Sequence, residues 1–171
     1  MAGDMPAGST LEADQVVFNQ LRQLPRYRIP SILHDLRNLE RKVFPPNEVF
    51  PFEDNPIAKQ NMVVLVGLSN QSKVSEMVAY AVCIRWNGRL LLHKICVAPA
   101  YRRIGIGTKL IQMIVECARR WSCRGIDLWV HEANYNARCL YSRSGFELQE
   151  TVTDYYAKGR NGIKMCHVLE A

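Results

Sequence analysis

Apolar residues near the start of the chain recur at helical spacing. Val16, Val17, Leu21 and Leu24 form one stripe that stops at Pro25, and Pro30-Ser31 opens a second stripe of Ile32, Leu33, Leu36, Leu39 and Val43. Steps of three and four place each set on one helix face, so the pattern predicts two helices, the second halted by Pro45-Pro46 and Pro51. Residues 47–60 lack periodicity and are expected to be loop. The pattern then changes. Residues 62–67 are a short apolar run, while residues 77–86 and 90–97 are rich in β-formers and flank Asn87-Gly88-Arg89, which predicts a hairpin. Residues 98–103 are expected to be loop. After them, Leu110, Ile111, Ile114, Val115 and Ala118 mark an amphipathic helix, and residues 126–130 a compact strand. Residues 134–144 predict another helix, with Ala137, Leu140 and Tyr141 inward and Gly145 as a left-handed cap. Residues 146–152 and 163–169 are closing strands around a loop that carries Tyr155-Tyr156. Helices first, then a hairpin, then alternating strands and helices give the class α/β with a mixed sheet.

Composition narrows the class without choosing a function. The chain has 171 residues, 48% hydrophobic and 22% charged, which suits one folded domain over residues 13–171 and rules out global disorder. Residues 1–12 are small and polar and are expected to form a disordered tail. No apolar run approaches the ~20 residues of a membrane-spanning helix, and the first residues lack a basic-then-apolar signal layout, so a soluble intracellular protein is expected. Lys and Arg number 22 against 16 Asp and Glu, an excess of +6 that favours anionic partners. Cys83, Cys96, Cys117, Cys123, Cys139 and Cys166 include no CxxC pair, so they are expected to be reduced apolar fillers, with no metal site.

The most informative stretch runs from Leu90 to Thr108, where a strand ends at Pro99 and a helix begins at two glycines. The first N–H groups of a helix lack intrahelical partners and carry partial positive charge. Gly105 and Gly107 remove Cβ atoms that would hold a phosphate away, and Arg102 and Arg103 add cationic charge, so the turn is an anion seat suited to a pyrophosphate. Gly107-Thr108-Lys109 does not complete a GxxxxGK[ST] loop. Leu110 stands where a dinucleotide fingerprint needs its third glycine, although Asp127, 20 residues after Gly107, mimics that motif's acidic partner. The remaining pattern is R-x-x-G-x-G after a V-x-P strand end, met by Arg102, Gly105 and Gly107.

With this motif and a second block, Asn134-x-x-Ala137-x-x-Leu140-Tyr141-x-x-x-Gly145-Phe146, the chain closely resembles the GNAT superfamily of acetyl-CoA-dependent N-acetyltransferases. The resemblance covers roughly residues 31–169. Val43-Phe44-Pro45 and Asp154-Tyr155-Tyr156 are most similar to the protein N-terminal acetyltransferases. It implies a mixed, mostly antiparallel central sheet of about six or seven strands, splayed at the cofactor site and flanked by about four helices. It also implies that acetyl-CoA lies where the strands of residues 90–97 and 126–130 part. Backbone at Ile95 and Val97 would pair with the pantetheine arm. Amides over Arg102, Arg103, Gly105, Ile106, Gly107 and Thr108 would hold the pyrophosphate, with Asn134 near the pantetheine and Arg143 near the phosphates.

The implied reaction is direct acyl transfer to a primary amine, releasing CoA. Tyr141 matches the family's tyrosine that protonates the sulfur. The base is expected to be His93, then His131, then Asp127, because Leu91 and Trp129 stand where relatives carry catalytic side chains. Phe44, Pro45, Tyr155 and Tyr156 are expected to enclose the acceptor, most naturally the α-amine of a protein or peptide N-terminus with an apolar first side chain. A small-amine or polyamine acceptor is the alternative, and the departures at Leu91 and Trp129 also admit a catalytically weak CoA-binding interaction subunit. A cytoplasmic or nuclear protein, with a ribosome or auxiliary subunit as partner, is the corresponding expectation. Neither membrane nor nucleic acid is an expected partner, since the arginines have a better assignment and no basic–aromatic motif accompanies them.

Overall fold

The computed structural model describes residues 13–52, 58–70 and 75–170; the expected tail at residues 1–12 lies outside them. Seven strands form one sheet: β1 (Val16–Gln20), β2 (Met62–Ser69), β3 (Glu76–Trp86), β4 (Arg89–Val97), β5 (Gly125–His131), β6 (Glu147–Ala157) and β7 (Arg160–Val168). Their spatial order is β1-β2-β3-β4-β5-β7-β6, antiparallel throughout except between β4 and β5. The helices are α1 (Ile29–Val43), α2 (Ile106–Arg120) and α3 (Tyr135–Arg143), joined by short 3-10 turns. None of the described helices is long and apolar enough to cross a membrane.

Two helical layers cover the sheet. Ile32, Leu33, Leu36 and Leu39 of α1 pack on one face against Val64, Val66, Tyr80 and Val82. On the other, Leu110, Ile111 and Ile114 of α2 pack against Leu65, Ala81, Leu90, Ile126 and Leu128. Both faces of β2 are therefore covered, which explains why its sequence is a continuous apolar run. The Asn87-Gly88 turn joins β3 to β4 with both residues at positive φ, 48° and 71°, the backbone that a two-residue hairpin of this twist demands. Because Trp86 pairs directly with Arg89, the arginine belongs to the strand.

Two expectations are corrected. The first stripe is a strand: Val16–Gln20 pairs along β2, and Leu21 then turns into the α1 core at 1% exposure. Val16-Val17-Phe18 is β-branched and aromatic, and five residues beside an unpaired edge gain more from a ladder than from one helical turn. The stripe spacing is real, but it spans a strand and a 3-10 turn. Likewise, Tyr155 and Tyr156 sit within β6, in an irregular stretch of its pairing with β7.

Candidate active site

The parallel pairing of β4 with β5 lasts only from Leu90↔Ile126 to Leu92↔Leu128. Beyond it, β4 stays with β3 while β5 follows β7, so the sheet opens into a wedge. His93 marks the start of this divergence, because Lys94 pairs with Val82 and Leu92 with Cys83, leaving His93 unpaired as a bulge. The extra residue inverts the side-chain alternation. Leu90 and Leu92 face α2, whereas after the bulge Cys96 faces the α1 side and Ile95 and Val97 turn toward α2.

A cleft of about 640 Å³ fills the wedge. Ile95 and Val97 form one wall, Arg102, Arg103, Gly105, Gly107 and Thr108 the rim at α2, and Asn134, Leu140, Tyr141 and Arg143 the opposite wall. Phe44 closes the end nearest α1. Ile106 is only 1% exposed, packs in the core and is not part of the cleft lining.

The rim has the chemistry of an anion seat. No side chain caps α2, and its N-cap Gly105 takes φ +89°, leaving the first-turn N–H groups available to a ligand. Arg103 also has positive φ, 69°, a strained conformation for a residue with a side chain. Arg102 is anchored backward, its Nε donating to the Val97 carbonyl at 2.9 Å. Asn134 caps α3 by accepting from the Ala137 N–H, so its carboxamide NH2 is the group left for the cleft. Gly107 has a packing role beside the phosphate approach that the sequence suggested. A Cβ there would meet Leu140 Cδ2 at 3.1 Å, so the glycine lets α2 and α3 approach across the cleft. Gly107→Val is expected to wedge the helices apart and weaken coenzyme A binding about tenfold, at a stability cost of ~1–3 kcal/mol, checked by calorimetry and a thermal melt.

Tyr141 is 6% exposed and its ring packs at 5.8 Å from Phe146. Burial, reinforced by Tyr156, raises its phenol well above the ordinary range, so the hydroxyl is protonated at any working pH. Cys96 also lines the cleft, and burial pushes its thiol up to about 12, which makes it a filler. All six cysteines are free.

The acceptor side brings together the end of α1 and the β6–β7 hairpin. Glu48 and Arg160 bridge the two at 3.0 Å. Tyr155 stacks on Trp129 at 4.2 Å and 11°, while Tyr156 meets His131 edge-on at 5.8 Å. Pro45, Tyr155, Tyr156 and His93 lie outside the cleft lining itself. His93 stands against Phe50 at 5.4 Å, and partial burial, helped by the Lys94 ammonium, lowers its imidazole below 6.5. Asp127, the third base candidate, is held by Arg89 through contacts of 2.5 and 2.8 Å. Burial opposes ionisation there, yet the guanidinium outweighs it and the carboxyl stays below its ordinary range, a poor proton acceptor.

Sequence reading missed the group that holds this end of the cleft. Glu40 of α1 is 0% exposed and accepts from the Tyr80 hydroxyl, the Phe50 N–H and the Lys94 ammonium. Lys94 also donates to the Glu48 carbonyl and lies 3.8 Å from the centre of the Phe44 ring. The signal was a carboxylate four residues after Leu36, inside the apolar stripe.

A sheet splayed beside an uncapped helix start, with a buried tyrosine across the gap, defines an acyl-cofactor cleft. Residues 29–146 match the family described as acetyltransferase (GNAT), and the chain belongs to that family. It is 30% identical over 133 residues to N-alpha-acetyltransferase 50 of Danio rerio, across 73% of this chain and 76% of the relative. Arabidopsis thaliana NAA60 in complex with a bisubstrate analogue superposes with a TM-score of 0.72 over 90% of this chain and 97% of that one, a likeness of fold at 19% identity. A nourseothricin acetyltransferase superposes with a TM-score of 0.60 at 27% identity, covering 72% of this chain and 71% of its own.

Proposed function

We propose that this acetyl-CoA-dependent N-acetyltransferase acts on the α-amine of a protein or peptide N-terminus. The observation that carries the reading is the aromatic surface of the acceptor side, where Tyr155 stacks on Trp129 and Phe44 closes the end of the cleft. Among the described residues near it, Glu40 pairs with Lys94 and Glu48 with Arg160, while Glu132 and Asp154 accept from the neutral Asn161 carboxamide and Gly159 N–H. Glu40 and Glu48 are already ion-paired, which leaves them little attraction for the several cations of a polyamine. A peptide N-terminus brings one cation beside a side chain, which suits Phe44 and the stacked Trp129 and Tyr155. The relative named for N-alpha acetylation supports the same choice.

Acetyl-CoA supplies an acyl group already activated as a thioester, so the protein needs no nucleophile of its own. The α2 amides and Arg103 bind its phosphates, and the open edge of β4 at Ile95 and Val97 takes the pantetheine as an added strand. Tyr141 holds a proton at its hydroxyl for the departing sulfur. His93, neutral at pH 7 because its imidazole lies below 6.5, receives the ammonium proton through water. Turnover should therefore fall as pH drops below 6.5 and His93 takes up a proton. His93→Ala is expected to cut the pH 7 rate on the order of 10²-fold and abolish that acid limb, read from kcat/KM across pH 5–8. An unchanged limb would transfer the role to His131.

A second reading, a small-amine acceptor, is favoured by the likeness to the nourseothricin enzyme. Release of free CoA with a panel of peptides and small amines tests both. Peptide turnover supports the proposal, turnover of amines alone supports the second reading, and tight CoA binding without turnover identifies an interaction subunit.

A further inference from the structure

The β6–β7 pairing skips Gln149, runs regularly from Glu150↔Lys164 to Val152↔Gly162, and resumes only at Ala157↔Arg160. Residues 153–156 of β6 therefore stand opposite Asn161 alone. In a regular strand, neighbouring side chains point to opposite faces, so Tyr155 and Tyr156 would part. Here their rings are 4.8 Å apart and serve one side, Tyr155 on Trp129 and Tyr156 against His131. Gly162 makes room for this turn, since a Cβ there would sit 2.6 Å from the Tyr155 ring.

The bulge is held by one carboxamide. Asn161 Oδ1 accepts from the Asp154 N–H at 3.1 Å, and Asp154 has a φ of +56°, a backbone that this bond helps to maintain. Asn161 Nδ2 donates to Glu132 Oε2 at 2.8 Å, while the Glu132 N–H donates to the Asn161 carbonyl at 3.0 Å. Asp154 Oδ1 in turn accepts from the Gly159 N–H at 2.6 Å. Only a side chain that both accepts and donates satisfies the two neighbours of Asn161.

We infer that Asn161 is a positioning residue for acceptor binding: with Glu132 it clasps the four-residue bulge that turns Tyr155 and Tyr156 to the same side. The inference rests on the reading that these tyrosines border the acceptor. Asp at this position keeps the acceptor atom, loses the donor and sets its charge against Glu132. Exchanging the partner as well restores the complementarity, because Gln at position 132 donates where Asn161 did.

The test compares Asn161→Asp with the double variant Asn161→Asp/Glu132→Gln. Its readouts are near-ultraviolet circular dichroism for the Trp129–Tyr155 stack, CoA affinity by calorimetry, and KM for a short peptide with a free α-amine and leucine first. The single variant should lose the stacking signal and raise the peptide KM about tenfold, with CoA affinity within about twofold, and the double variant should recover both properties. An unchanged stacking signal in the single variant, or no recovery in the double, overturns the clasp. A lost signal with an unchanged KM overturns the acceptor role of the tyrosines and with it this inference, while leaving the clasp standing as architecture. If wild type leaves the peptide unacetylated, the proposed function fails, and the dichroism still decides the clasp.

Discussion

Tyr141→Phe is expected to lower kcat by about 10²-fold or more while leaving CoA affinity within about twofold. The substitution deletes one oxygen from a side chain that is 6% exposed and whose ring contacts Phe146, so the packing that shapes α3 against the sheet survives. What is lost is a proton at the cleft wall, held there because burial keeps the phenol neutral. A thiolate leaving into a partly closed cleft without a donor lacks both a proton and the stabilisation of water. Steady-state rates at saturating acceptor, with calorimetric titration of CoA, separate the two effects. A kcat within about threefold of wild type would remove Tyr141 from the chemistry.

The second large effect falls on stability. Glu40→Ala is expected to destabilise the fold by ~3–5 kcal/mol, because it strands a cation as well as deleting an anion. The Lys94 side chain is 13% exposed, and without Glu40 it keeps only the Glu48 carbonyl and the Phe44 ring. The Tyr80 hydroxyl, on a residue 0% exposed, also loses its acceptor. In a domain of this size the change corresponds to a fall in Tm of roughly 10 °C, read by thermal or urea unfolding. Glu40→Gln keeps one acceptor oxygen for the Phe50 N–H and can donate its NH2 to the Tyr80 hydroxyl, so it should cost distinctly less. Equal costs for the two variants would show that the charge on Glu40 is irrelevant to the network.

Much of the cleft was legible because its chemistry is backbone chemistry with a glycine signature. Gly105 and Gly107 after Arg102 announced an uncapped helix start, and Asn134 and Tyr141 lie on the helix facing it across the cleft. The hairpin at Asn87-Gly88 was equally plain, because few sequences tolerate two consecutive positive φ angles. The first strand was misread because period-3 spacing over so few residues also fits a strand followed by a 3-10 turn. The packing role of Gly107 depends on Leu140, 33 positions away, and no local pattern encodes that contact. The bulges at His93 and at residues 153–156 escaped for a related reason. An inserted residue becomes visible only against its partner strand, and these two insertions decide which way Ile95, Val97, Tyr155 and Tyr156 face.

The central claim is that main-chain groups at the start of α2 grip a diphosphate and so hold an acyl thioester in the wedge between β4 and β5. Calorimetric titration of the folded protein with CoA, beside the same titration with pantetheine, which lacks the diphosphate, tests it most directly. The account predicts saturable binding of CoA at one site and affinity for pantetheine weaker by at least about 10²-fold. Equal affinity for the two ligands, or no heat with either, would contradict it.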